Sequence, residues 1–387
     1  MDDDYRRLAD RIADDIATGR LRPGERLPPQ RAFARRRGIA GSTAGRVYGE
    51  LVRQALRPAP ATGTAEARTV VAGLLATPGW RPDPDGVLFT GNARQAIAAA
   101  LASLVRPGGR VGVEALTYPL VKEIAARLGC ALVPLAMDQE GLRPDALAAA
   151  HRSAPLSALY VQPTLHNPTS VTTSEPRKHE LARVVRELAL PVVEDRIWSF
   201  LADSGRNGSG EPLAAHVPEL AHVVDGLSKR VAPGLTVGFL VVPPDRAQAV
   251  AAAVRSGGWS VGRFALEAGT RWVQDGTVAR LVAAKRVDAA RRQRLLAREL
   301  ASAGGTVRSD PYACYAWWEL PASWRADTFT AAAAAHGIAV TPGNAFAVGP
   351  QRAPDAVRLG LASAPEPELV RALRTLAAVA RRGRTGP

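Results

Sequence analysis

The sequence predicts an α/β protein in three parts: a small helical unit, a mostly parallel sheet wrapped by helices on both faces, and a smaller α+β unit. Three observations predict it. Residues 5–52 carry their apolar side chains at helical spacing. From Val87 to Val242, short unalternating apolar runs recur between amphipathic stretches, as in strands buried on both faces. Beyond Val242 the pattern is helical to Gly304, after which residues 317–320, 338–340 and 357–361 read as strands of a second sheet. The boundaries drawn from these shifts are 1–64, a short linker 65–86, a large domain 87–245, and a helical return with the small subdomain, 246–387.

Composition bounds the function. A 387-residue chain with 47% hydrophobic and 22% charged residues is globular and not disordered. A net charge of +14 permits nucleic-acid or acidic-ligand binding without establishing it. No apolar stretch reaches membrane-spanning length free of Pro, Gly or charge, and Met1-Asp2-Asp3-Asp4 lacks the apolar run of a signal peptide, so a cytoplasmic protein without membrane contact is expected. Cys130 and Cys314 lie among apolar residues and read as buried thiols. The six histidines are scattered and give no metal-ligand spacing, so no metal is expected.

In chain order, Leu8, Ile12 and Ile16 set a first helix that Gly19 stops. A Pro/Gly turn follows, then a helix over 30–37 ending at Gly38, and a third over 42–52 with Ser42 available as its N-cap. Residues 56–64, with Pro58, Pro60 and Gly63, suit a two-stranded wing, and the three helices make a helix-turn-helix candidate. The motif Arg22-Pro23-Gly24-Glu25-Arg26-Leu27-Pro28-Pro29-Gln30-Arg31, with Ser42-Thr43 and Tyr48-Gly49-Glu50-Leu51, resembles the winged-helix domain of GntR-type regulators. The resemblance implies double-stranded DNA as partner, Ser42, Thr43 and Arg46 at base edges and phosphates, and Arg31 near the backbone. Ala40, Gly41 and Gly45 depart from it, standing where such domains carry capping and base-reading side chains.

In the body, polar residues gather where strands end: Thr90-Gly91-Asn92-Ala93-Arg94, which opens a helix and offers backbone N–H groups to a phosphate; Tyr118; Asn167; Glu194-Asp195; and Lys229. Lysine is scarce, occurring only at 122, 178, 229 and 285, and unlike arginine it can lose its proton and attack a carbonyl. An amine, an acid, an amide, an aromatic ring and a helix N-terminus at one edge suit a pyridine aldehyde phosphate. The segments Pro163-Thr164-Leu165-His166-Asn167-Pro168-Thr169, Val193-Glu194-Asp195, Leu227-Ser228-Lys229, Thr341-Pro342-Gly343 and Val357-Arg358-Leu359 together resemble the fold-type I, pyridoxal-phosphate-dependent aminotransferases.

That resemblance implies Lys229 as the Schiff-base lysine, Asp195 as partner of the pyridine nitrogen, Asn167 of the ring hydroxyl, and Tyr118 as stacking ring. It further implies Ala93, Arg94 and Ser228 beside the cofactor and Arg358 as clamp for a substrate carboxylate. A winged helix on such a body is the layout of MocR-type regulators, which implies a homodimer whose body senses pyridoxal 5'-phosphate or an amino-acid adduct. Gly226, Thr236 and Asn92 replace usual phosphate contacts, Trp198 replaces a Tyr, and Arg94 or Arg230 are the candidates to compensate. Two further readings stay open: a working aminotransferase or related amino-acid enzyme with a vestigial winged helix, and a regulator whose body has lost the cofactor.

Overall fold

The computed structural model describes residues 4–17, 20–21, 26–55, 57–202, 210–234, 236–350 and 352–383. The expected turn at 22–25, the helix stop at Gly19, and Leu56 and Leu235 lie outside the described residues.

The N-terminal unit is three helices: α1 Asp4–Ala17, α2 Gln30–Arg37 and α3 Gly41–Ala55. Tyr5, Leu8, Ala9 and Ile12 of α1 pack against Phe33 and Ala34 of α2 and Ala44 and Val47 of α3. The α2–α3 turn is tight because Gly38 takes a left-handed φ of 63° that side chains disfavour. α3 begins a residue earlier than expected: Ala44 N donates to Ala40 O, so Ala40 and not Ser42 holds the capping position.

The expected wing is not formed. No strand occurs among residues 57–64; Pro58 bridges Gly262, Ala59 N donates to Val261 O and Phe89 N to Ala61 O. The segment is spent on the body's backbone and leads straight from α3 into it. Residues 65–86 are likewise no free linker. Helix α4, Ala65–Leu75, is capped by Thr64 Oγ1 on Ala67 N and buries Ala67, Val71, Ala72 and Leu75. Full burial of a Val or Leu is worth about 1.5–3 kcal/mol, enough to hold a helix of this length in place.

The body holds a seven-stranded sheet: β1 Val87–Thr90, β2 Arg110–Glu114, β3 Ala131–Leu135, β4 Ala158–Val161, β5 Val192–Asp195, β6 Ala221–Gly226 and β7 Gly238–Val241. Their order is β1-β7-β6-β5-β4-β2-β3, and only β7 runs against the rest. Helices α5 Ala93–Leu104, α6 Pro119–Arg127, α7 Pro144–Ser153 and α8 Glu175–Glu187 cross between strands, and a single helical turn, α9 Leu227–Arg230, follows β6. Five strands bury every residue, β1, β4, β5, β6 and β7, which is why the sequence shows unbroken apolar runs there.

Helices α10 Ala247–Ser256, α11 Arg263–Gln274 and α12 Thr277–Leu300 lead to an antiparallel four-stranded sheet: β8 Thr306–Arg308, β9 Tyr315–Glu319, β10 Thr341–Pro342 and β11 Ala356–Gly360, ordered β8-β9-β11-β10. α13 Ala326–Ala335 and α14 Glu366–Arg382 cover it over Trp318, Phe329 and Leu373. Residues 338–340, expected as a strand, have no sheet partner; pairing begins at Thr341. Among the described residues no helix is long and apolar enough to cross a membrane.

Candidate functional site

Strands β1, β2, β4, β5 and β6 run the same way, so Thr90, Glu114, Val161, Asp195 and Gly226 end at one edge of the sheet. Ala93, Arg94, Tyr118, Asn167, Asp195, Ser228 and Lys229 lie at or after these ends, whereas Arg358 comes from β11 of the small subdomain. Loop 115–117 is strapped to the small subdomain: Thr117 N donates to Phe346 O and Val348 N to Ala115 O. The strap fixes Tyr118 at the N-cap position of α6.

At one end of the edge lies a continuous network. Arg358 Nη1 donates to Asn167 Oδ1 (2.8 Å), Asn167 N lies 3.4 Å from its acceptor Gln162 Oε1, and Gln162 Nε2 donates to Asp195 Oδ2 (2.9 Å). Tyr160 donates to the same Oδ2 (2.8 Å) and Ile197 N to Oδ1 (3.0 Å). Burial pushes the Asp195 carboxyl up to about 6, the neighbouring donors pulling the other way. Among the described residues Asp195 thus has neutral donors and no ion-pair partner. The Tyr118 hydroxyl is raised by burial first and then by the Asp195 charge, with Arg94 and Arg358 opposing the rise. Arg358 lies under Phe346 and Tyr315, and its Nε is buried with no hydrogen-bond partner.

Lys229 differs from the other lysines. Lys122 donates to Ala345 O and Ala347 O, Lys178 to Glu211 O, and Lys285 to Lys229 O and Val231 O, each tying down backbone. Among the described residues Lys229 Nζ makes no hydrogen bond; it stands 5.2 Å from the centre of the Trp198 ring. Its pKa is lowered, chiefly by desolvation and next by Arg358. Lys285 reaches across from α12 to hold the carbonyls at the end of α9, so the backbone presenting the amine is fixed.

The other end is sparse. Asn92 caps α5 with its own side chain, Oδ1 accepting from Gln95 N (3.0 Å), while helix geometry leaves the N–H groups of Ala93 and Arg94 without intrahelical acceptors. Arg94 is exposed and Ala93 half-buried beside it. Ser228 is half-buried one residue before Lys229. Gly226 has no room for a side chain: a Cβ there would stand 2.7 Å from Val237 O. Arg230 does not reach this end; its Nη2 pairs with buried Asp225 at 2.5 Å and its guanidinium lies over Phe200.

In the N-terminal unit Arg31 and Ser42 are exposed and Thr43 half-buried. Arg46 is exposed too, yet its guanidinium lies 4.1 Å from the centre of the Tyr5 ring on α1. Gly41 and Gly49 have nothing within 4 Å of a built Cβ, and Gly45 only Gln30 Oε1 at 3.8 Å. The glycines of α3 therefore answer no packing need.

Three functional positions were missed in the sequence. Tyr160 and Gln162 sit in or beside an apolar run and read as core; only the register of Tyr160 opposite Val193 aims them at Asp195. Lys285 lies on a helix far along the chain, and its scarcity as a lysine was the one available signal.

Comparison with known proteins identifies the family and the fold. Residues 53–376 match the family model of aminotransferase class I and II, and residues 4–57 that of the bacterial regulatory proteins, gntR family. The HTH-type transcriptional regulator YdeF of Bacillus subtilis (strain 168) is 30% identical over 284 residues, 72% of this chain and 60% of its own. YdcR of Escherichia coli (strain K12), also an HTH-type transcriptional regulator, is 26% identical over 299 residues, 74% of this chain and 62% of its own. The chain thus spans about three fifths of these relatives' length. Among solved structures, an archaeal alanine:glyoxylate aminotransferase superposes with a TM-score of 0.77 at 19% identity, covering 87% of this chain and 86% of that one. A Pyrococcus horikoshii kynurenine aminotransferase does so with 0.77 at 21%, covering 87% and 85%. The chain belongs to the aminotransferase class I and II family and joins that body to a gntR-family module, the layout of MocR-type regulators.

Proposed function

We propose that this chain is a MocR-type transcription regulator: a cytoplasmic homodimer whose N-terminal module binds double-stranded DNA and whose body holds pyridoxal 5'-phosphate, sensing it or its amino-acid adduct. The observation that carries the reading is Lys229: a lysine whose amine has no hydrogen bond among the described residues, at the edge where Asp195 and Arg358 have unmet capacity.

Those unmet capacities are the test of fit. Asp195 is a buried carboxyl lacking a cation, which a protonated pyridine nitrogen supplies. The partnerless Arg358 Nε suits an amino-acid carboxylate. When bound, the cofactor supplies an aldehyde for an amine and an electron-withdrawing ring. The chain's part is positioning. Tyr160 and Gln162 orient Asp195, which would hold a proton at the ring nitrogen, while Asn167 would meet the ring hydroxyl and Tyr118 would cover the ring. Ala93, Arg94 and Ser228 would hold the phosphate. Desolvation and Arg358 favour the neutral amine of Lys229, the form that attacks a carbonyl.

In the N-terminal module, Arg31, Ser42, Thr43 and Arg46 contact DNA. The glycines of α3 favour a second reading, an aminotransferase or related amino-acid enzyme, because they remove side chains that base readout needs.

The reading is tested with purified protein and added cofactor. Wild type should retain the cofactor through gel filtration with the visible band of a lysine-bound aldehyde, and Lys229→Ala should lose that band entirely. A colourless wild type that ignores the cofactor removes both readings. Failure to shift promoter DNA at low salt removes the regulator, and a multiple-turnover keto product from an amino donor establishes the enzyme.

A further inference from the structure

Where α8 packs against the turn Leu213–Ala215, two histidines and a glutamate converge. Glu175 is the first residue of α8 and His179 lies one turn on, an i,i+4 pair sharing a helix face. His216 closes the short 3-10 turn Leu213–Ala215. Scattered along the sequence, they carry no ligand spacing; the fold brings their ligand atoms within 4.8 Å of one another.

We propose that Glu175, His179 and His216 bind a divalent transition-metal ion of the zinc class, clipping the N-terminal turn of α8 to the segment 211–217. His216 Nε2 stands 2.6 Å and His179 Nε2 4.0 Å from Glu175 Oε1, and the two imidazole centroids are 4.1 Å apart. In a tetrahedral site with bonds of about 2.0–2.2 Å, ligand atoms lie roughly 3.3 Å apart. The observed separations bracket that value, so small side-chain rotations complete the geometry.

A second observation points to a ligand. His216 Nε2 and Glu175 Oε2 are both buried with no hydrogen-bond partner, so the close approach of Nε2 to Oε1 is not aligned as a hydrogen bond. Lys178 Nζ, which also donates to Glu211 O at 2.6 Å, pairs with Oε2 at 3.5 Å and leaves Oε1 to the two imidazoles. Two imidazoles and a carboxylate suit Zn²⁺, Co²⁺ or Ni²⁺ and leave a fourth position for water. The His179 side chain, 64% exposed, gives the ion its way in.

The clip bears on the Lys229 edge from behind. Leu213 N and Ala214 N donate to the Glu194 carboxylate at 3.1 and 2.9 Å, and Glu194 precedes Asp195 on β5. An ion on His216 braces the turn that buttresses this strand.

The experiment uses untagged, full-length, chelator-treated protein titrated with Co²⁺ and read by its visible ligand-field absorption, with Zn²⁺ as competitor. One equivalent should bind at micromolar concentration or tighter, and Zn²⁺ should displace it. His179→Ala, His216→Ala and the isosteric Glu175→Gln should each weaken binding at least about tenfold. The exposure of His179 means that His179→Ala keeps the fold, checked by circular dichroism. If wild type takes up neither ion at micromolar concentration, the cluster is a carboxylate–imidazole ion pair and the proposal fails. It fails equally if all three variants bind as wild type does. Neither readout depends on the cofactor or on DNA.

Discussion

The two ends of the Lys229 edge are built on different terms. At the Asp195 end, Tyr160, Gln162, Asn167 and Arg358 form one chain of hydrogen bonds, mostly buried, and each side chain is held by another. At the α5 end, Asn92 caps its own helix, Arg230 is spent on Asp225, and Gly226 is pressed against Val237. A network whose members orient one another is lost only as a whole, since removing one member strands buried partners at about 1–3 kcal/mol each. A phosphate seat built of backbone N–H groups and exposed arginines can be thinned one residue at a time. The difference predicts specific recognition of the ring with weak retention of the phosphate.

The largest effect should come from the Asp195 end. Asp195 rises from 3.8 in the unfolded chain to about 6 in the folded one. Its folded state therefore binds the extra proton between those values, and stability falls as pH rises through that window, by about 3 kcal/mol. Urea unfolding of cofactor-free wild type and Asp195→Asn at pH 4 to 7 isolates this, because subtracting the two curves cancels every other titrating group. Wild type should lose stability relative to the variant between about pH 4 and pH 6, and saturating cofactor should flatten the difference by placing a cation beside the carboxylate. A difference that does not change with pH would mean that Asp195 is not buried as a lone acid.

The α5 end offers a paired test of smaller size. Thr236→Arg, at a half-buried position just past α9, should tighten cofactor binding about tenfold by adding one charge-assisted pair to the phosphate. Gly226→Ser should do the opposite of what its chemistry suggests. Its Cβ would meet Val237 O at 2.7 Å, so the variant should lose about 1–3 kcal/mol of stability without gaining affinity. Tighter binding by Gly226→Ser would overturn the contrast between the two ends.

Much of this was legible in the sequence, for a physical reason. Strands buried on both faces leave unbroken apolar runs, and a parallel sheet forces the residues after each run to one edge, so Lys229, Asp195 and Asn167 could be named before their geometry was seen; Arg358, inside a strand of the antiparallel sheet, was named from the family resemblance alone. Tyr160 and Gln162 could not, because a polar tip within a buried run looks like core until its neighbour strand is known. Arg230 could not be placed from the sequence because its partner Asp225 is itself inside a strand. Residues 338–340 are apolar enough for a strand but find no partner, and Thr306–Arg308 was missed because three residues carry no period. The wing failed for a third reason: the backbone groups of 57–61 are taken up by Val261, Arg263 and Phe89, a tertiary competition that local turn chemistry cannot reveal.

The smallest effects belong to α3. Gly45 has open space around it, so Gly45→Ala should stabilise the N-terminal module by up to about 1 kcal/mol through helix propensity alone. Gly45→Arg adds a cation on the same face, and if that face meets the phosphates the slope of log affinity against log salt should steepen by about 0.9. Arg46→Ala separates two roles of one side chain. As a phosphate contact its loss flattens that slope by the same amount; as a cation over the Tyr5 ring its loss costs about 0.5–1 kcal/mol of stability. Loss of stability with an unchanged slope would assign Arg46 to packing on α1 and leave the DNA contact to Arg31 and the exposed arginines of α2. An unchanged slope in Gly45→Arg as well would mean that α3 does not face the duplex.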